Sequence, residues 1–106
     1  FSVYVLQSEQ DKNLYIGYTD NLKKRITEHN VGKTISTKSR RPFRPIYREI
    51  FCNKYDALCR EKFLKSGWGR NYLKKALKNF FSREENIVGG DGVGILDFGF
   101  FFSGQG

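Results

Sequence analysis

The chain has no methionine, two cysteines, two prolines, one tryptophan and one histidine among its 106 residues. Each scarcity removes a class of protein. Cys52 and Cys59 make no disulfide framework, and a single histidine leaves no Cys/His cluster with zinc-binding spacing. Cys59 falls within a helical pattern and reads as a small buried or half-buried thiol. No signal peptide opens the chain, and the apolar stretch at residues 98–102 is too short, and too near Asp97, to span a bilayer. A reducing, cytoplasmic setting without membrane contact is the default expectation. The chain begins at Phe1, already in a strand-like run, so a preceding segment is expected. The glycine run GGDGVG at residues 89–94 lacks a phosphate-loop lysine and any strand–turn–helix context, so no nucleotide or other small-molecule cofactor is expected.

Positive charge is abundant. Nineteen Lys and Arg against eleven Asp and Glu give +8. Residues 1–81 hold 18 basic and 7 acidic side chains, or +11, which favours a polyanionic partner such as nucleic acid. At this length one domain with one modest core is expected.

Residues 2–7 and 14–19 are β-branched and aromatic, and the polar SEQDKN between them reads as the turn of a β-hairpin. Gly17 in the second strand marks either a bulge or a close approach to the backbone. Thr19 or Asp20 offers an N-cap to a helix ending at Asn30, with Gly32 as its stop. At ~100° per residue with Leu22 at zero, Ile26 lies near ~40°, His29 near ~340° and Arg25 near ~300°. Arg25 and His29 therefore share the apolar stripe. Residues 31–44 read as a long basic loop, and residues 45–51 as a third strand. A helix capped by Asn53 or Asp56 and running to about Ser66 carries Ala57, Leu58, Glu61, Leu64 and Lys65 on one side. An unpaired carboxylate is costly there. A last amphipathic helix spans residues 68–81. Seven of the eleven glycines follow, in residues 89–106, and 82–106 is expected to be a flexible Gly/Phe-rich tail outside the 1–81 domain.

The expected fold is α/β (α+β), a small, mainly antiparallel three-stranded sheet flanked by helices in the order β-β-α-β-α-α. On it Tyr4, Tyr15-Ile16-Gly17, Arg25, His29 and Glu61 occur in sequence. With the surrounding text, VYVLQS, LYIGYTDNLKKRITEHN, RRPFRPIYREIF and ALCREKFLKSGWGR, the chain resembles the GIY-YIG nucleases over about residues 2–80. It is most similar to their small stand-alone bacterial branch, akin to the N-terminal incision domain of the excision-repair nuclease subunit. The first motif departs from Gly-Ile-Tyr, reading Ser2-Val3-Tyr4. Relatives also place an Asn after the metal carboxylate, and Asn71 is the candidate.

The resemblance implies a DNA endonuclease using one divalent metal, Mg²⁺ or Mn²⁺, structure-specific and linked to repair or recombination. Tyr4, Tyr15, Arg25 and His29 take the catalytic positions, and Glu61 that of the metal carboxylate. The residue types suit that chemistry. A guanidinium fork can hold two phosphate oxygens, a phenol near cations can take a proton, and Mg²⁺ tolerates a single carboxylate with water filling its octahedron. Tyr4 and Tyr15 are both left as the base. DNA contacts are expected from Gly17, Lys38, Arg40 and Arg41, with Arg60, Lys62 and Lys65 adding to the same surface, and the protein is expected to be a monomer. The alternative is a non-catalytic nucleic-acid-binding module on the same fold. Catalysis requires the five polar tips to converge on a hollow open to solvent.

Overall fold

A computed structural model of the chain describes residues 1–88 and 100–101. Its elements are β1 Ser2–Ser8, β2 Leu14–Thr19, α1 Leu22–Asn30, α2 Ile35–Lys38, β3 Phe43–Ile50, α3 Lys54–Leu64, α4 Gly67–Ala76, α5 Lys78–Val88 and β4 Phe100–Phe101. The three-stranded antiparallel sheet is there as expected, with β1 between β2 and β3, and the two-residue β4 adds a parallel pairing to the outer side of β2. The basic loop contains α2. The single last helix expected from residue 68 is two, breaking at Leu77, and α5 runs across the expected boundary at residue 82. Most of the expected tail lies outside the described residues.

Every residue of β1 is buried, because helices cover both faces of the sheet. Val3 and Val5 pack with Leu14 and Ile16 of β2 beneath Ala57 and Leu64 of α3, Leu73 of α4, and Phe81. Each such side chain contributes about 1.5–3 kcal/mol when fully buried. The other face carries Tyr4, Leu6, Tyr15 and Phe43, met by Leu22 and Ile26 of α1. The period of two along a strand thus sends Val3 and Val5 to one face and Tyr4 and Leu6 to the other.

The edge strand β3 tolerates Pro45, whose missing N–H coincides with a register shift opposite Val5 and Leu6. Its outer residues are clasped to the helices. Arg60 on α3 donates to Glu49 at 2.8 and 3.0 Å, lies between the rings of Phe63 and Tyr72, and Tyr47 donates to the same carboxylate at 2.5 Å. Arg60 is therefore committed to the scaffold rather than to a DNA-facing surface. Cys59 is exposed, contrary to its expected burial, because α3 turns only Ala57 and Leu64 fully inward.

The turn between α3 and α4 depends on a residue without a side chain. Ser66 donates to the Phe63 carbonyl and accepts from Gly69 N at 3.2 Å. This draws the two helices so close that a Cβ on Gly69 would collide with the Phe63 carbonyl oxygen and the Leu64 backbone. Gly67, two residues earlier, has open space. Gly69→Ala is expected to lower the unfolding free energy by about 2–3 kcal/mol, whereas Gly67→Ala should be neutral or stabilising by up to about 1 kcal/mol. Urea titration of both variants checks this, and equal effects would refute the close approach.

Candidate active site

Helix α1 starts one residue later than expected, with Asn21 Oδ1 accepting from Lys24 N at 3.1 Å. From that start, Leu22, Ile26 and His29 reach the sheet, and Gly32 (φ +85°) ends the turn as expected. Asn30 fastens the other end. Its amide donates to the Phe43 carbonyl at 3.0 Å and accepts from Phe43 N at 2.7 Å.

Tyr4 stands opposite Gly17 in the β1–β2 register, without a bulge, and its phenol lies across that glycine. A Cβ at Gly17 would sit only 2.5 Å from the ring carbon bearing the hydroxyl. The close approach expected at Gly17 is thus Tyr4's own ring, and the room expected for DNA there is filled. The hydroxyl lies 3.2 Å from His29 Nε2, and the Arg25 guanidinium is near enough to act on it electrostatically. The Tyr15 ring meets the imidazole edge-on, with centroids 4.7 Å apart. Tyr4, Tyr15, Arg25 and His29 therefore form one contiguous group.

That group is not an open hollow. Tyr4, Tyr15 and His29 have no exposed surface, whereas the Arg25 side chain keeps 20% of its own. Burial pushes the Tyr4 phenol well up, against the opposing pull of Arg25, and the charges of Tyr15 and Glu61 add to the rise. Burial also pushes His29 down to about 4, with Arg25 helping and Glu28 opposing. Arg25 stays firmly charged, since Tyr4 and Glu28 together outweigh its desolvation. Its terminal nitrogen donates to Glu28 at 3.0 Å, while its buried Nε has no hydrogen-bond partner.

Glu61 comes from α3, on the side of the sheet covered by Ala57 and Leu64, and its charge reaches Tyr4. Its Oε2 is 3.0 Å from Lys65 Nζ, and the two side chains are only 12% and 15% exposed. Lys65 is accordingly paired, not a solvated DNA contact. Among the described residues no three His, Cys, Asp or Glu side chains gather to cage a metal. One carboxylate already holding a cation is a fit for Mg²⁺, which keeps most of its water, and a poor fit for zinc.

The three basic positions expected to line a DNA groove diverge. Lys38 is exposed on α2, and Arg41 is half-buried with Nε donating to the Lys38 carbonyl at 2.8 Å. Arg40 is turned inward. It is buried, donates to Asp11 at 2.9 Å and sits over the Phe43 ring, while its carbonyl accepts from Ser8. Nothing local in a basic loop turns one arginine inward; Asp11, in the hairpin turn, does so. Asn71 is exposed on α4. Sequence reasoning missed Thr37 altogether. It is buried on α2 with its hydroxyl 2.9 Å from His29 Nδ1.

This order of residues on this sheet has counterparts. Residues 1–76 match the family model described as the GIY-YIG catalytic domain. The chain belongs to the GIY-YIG nuclease family. It is 43% identical over 73 residues to a UPF0213 protein of Staphylococcus haemolyticus, covering 68% of this chain and 88% of that one. A UPF0213 protein of Clostridium perfringens is 39% identical over 85 residues, covering 79% and 89%. One from Pediococcus acidilactici is 43% identical over 82 residues, covering 74% and 82%. No solved structure matches the chain. Among the described residues of this GIY-YIG protein no helix is long and apolar enough to cross a membrane.

The buried imidazole gives the site a pH signature. His29 titrates near 6.5 when unfolded and about 4 when folded, so the unfolded chain binds more protons between those values. The stability this neutral histidine contributes is complete above pH 6.5 and lost as pH falls toward 4, amounting to about 3 kcal/mol. Urea unfolding between pH 7 and pH 4 should show that loss, and His29→Gln should flatten the profile by a similar amount. Identical profiles would contradict a neutral buried imidazole.

Proposed function

We propose that this protein is a divalent-metal-dependent DNA endonuclease that hydrolyses phosphodiester bonds, with branched or nicked DNA of repair and recombination as its substrate class. The observation that carries this reading is Arg25. Its guanidinium acts electrostatically on Tyr4 and His29, is held by Glu28, and has a buried Nε with no hydrogen-bond partner.

Glu28 holds Arg25 as a phosphate oxygen would, and Lys65 holds Glu61 as a divalent cation would. A bound phosphodiester would replace the first contact, and Glu61, released from Lys65, is the residue that would hold the ion. Hydrolysis forms a P–O bond to water and breaks the bond to the departing oxygen, adding charge to the nonbridging oxygens. Arg25 stabilises that charge through two N–H groups at once. When bound at Glu61, the ion supplies Lewis-acid stabilisation of the phosphodiester. Water's proton goes to a tyrosine, and a neutral Tyr4 can accept it while passing its own to His29, without forming the phenolate that burial disfavours.

An open groove of about 460 Å³ lies between the start of α1 and β3, lined by Asp20, Asn21, Leu22, Lys23, Ile26 and Arg48. Arg48 is directly opposite Tyr4 in the β1–β3 register and exposed, with Nε donating to Ser2 Oγ at 3.2 Å. Arg48 and Lys23 suit the phosphates flanking the bond to be cut, and Lys38 extends the same basic character. A specific observation favours the second reading, a module that binds without cutting: both phenols are closed off from solvent.

Cleavage assays on branched, nicked, linear and single-stranded DNA, with Mg²⁺, Mn²⁺ or EDTA, separate the readings. Tyr4→Phe, Arg25→Ala and Glu61→Gln should each slow metal-dependent cleavage by ~100-fold or more with little change in affinity. Arg48→Ala should weaken binding and reduce its salt slope by about one ion. DNA that is bound yet intact under every condition would establish the binding module instead.

A further inference from the structure

We infer that Thr37 is a positioning residue of the site, fixing His29 as the Nδ1–H tautomer so that a lone pair on Nε2 faces the Tyr4 hydroxyl. The inference rests on the nuclease reading for its catalytic consequence, and on hydrogen-bond geometry alone for the tautomer.

Each hydrogen along one buried chain of polar groups can be placed in turn. The Thr37 hydroxyl has one hydrogen and two neighbours, the Thr34 carbonyl at 3.4 Å and His29 Nδ1 at 2.9 Å. A carbonyl oxygen can only accept, so the hydroxyl that donates to Thr34 must accept from Nδ1–H. The other end is consistent with this. With Nδ1 protonated, Nε2 carries the lone pair, and the phenol's hydrogen has that nitrogen, 3.2 Å away, to receive it. Three links are satisfied in one direction: Tyr4 to His29, His29 to Thr37, Thr37 to Thr34. With the opposite tautomer, Nε2–H would donate to the phenol oxygen and the phenol's hydrogen would lose His29 as its acceptor. Thr37 would also have to abandon Thr34. Leaving such a buried donor unpaired costs about 1–3 kcal/mol.

The consequence is directional. A phenol that takes a proton from water can hand its own to Nε2 in the same step, and only this tautomer has the vacancy. Helix α2 thereby acquires a task. Four residues long, it turns Thr37 inward while Ile35 and Lys38 remain exposed.

His29 is the only histidine, so its two ring nitrogens are assigned without ambiguity in a long-range proton–nitrogen correlation spectrum. At neutral pH the wild type should show a protonated Nδ1 and an unprotonated Nε2, and Thr37→Val should shift the ring toward the other tautomer. Turnover should fall by ~10-fold or more in Thr37→Val, a substantial part of an acid–base contribution, and stay within ~3-fold in Thr37→Ser, which keeps the hydroxyl. A wild-type spectrum with Nε2 protonated overturns the inference even if Thr37→Val does not fold. Equal losses in the Val and Ser variants overturn the positioning role. A wild type with the expected tautomer that cuts no DNA refutes the nuclease reading, and the catalytic role with it, while the tautomer assignment stands.

Discussion

The structure depends on one phenol lying across one glycine. Tyr4 occupies the central strand, where every side chain must be buried, yet its hydroxyl needs partners that a core does not ordinarily provide. Gly17, directly opposite on β2, gives the ring a bed at the surface of the sheet, and α1 brings Arg25 and His29 down onto the hydroxyl. The same bonds that satisfy the buried phenol also fix the helix on the sheet. Asn30 and Thr37 extend the arrangement by tying α1 to β3 and α2. Packing and chemistry therefore make the same demand on these residues.

Electrostatics divide the molecule's charges into those already spent and those held ready. Arg40 on Asp11 and Arg60 on Glu49 close gaps between elements, each with an aromatic ring against its guanidinium. Arg25 and Glu61 differ in kind. Each has an oppositely charged partner one helical turn away on its own helix, so the pairing fixes no tertiary contact and can be exchanged at little structural cost. Of the +11 in residues 1–81, only part is therefore surface charge for a polyanion. Arg48 and Lys38, exposed on β3 and α2, belong to that part.

Much of this was readable from periodicity. Alternation gave the strands, the ~100° spacing put Arg25 and His29 on the inward stripe of α1, and the order of polar residues identified the family. What could not be read depends on tertiary distance. No local pattern distinguishes Arg40, buried on the hairpin turn, from Arg41 beside it. Thr37 looked like one polar residue in a polar loop, because a short helix formed within a loop has too few residues to show a period. The division at Leu77 was equally hidden, since both halves of the stretch have good helix formers. The expectation of an open site failed for a physical reason: the groups that bond the Tyr4 hydroxyl also cover it.

That cover bears on how the site can work. With burial raising the phenol and lowering the imidazole, a standing phenolate–imidazolium pair is disfavoured, and a transient relay through neutral Tyr4 is the route left open. The relay needs water to reach a hydroxyl that solvent does not touch in the free protein. The barrier lies with Arg25 and Glu61, which keep some exposure of their own. On the proposed nuclease reading, a phosphate would draw Arg25 from Glu28 and a cation would draw Glu61 from Lys65, and attraction between those opposite charges would be strong where water is scarce. Each ligand would then favour the other's binding by the same factor, as linkage requires. On the same reading, a site closed when empty would keep Tyr4 out of solvent until a phosphodiester is bound.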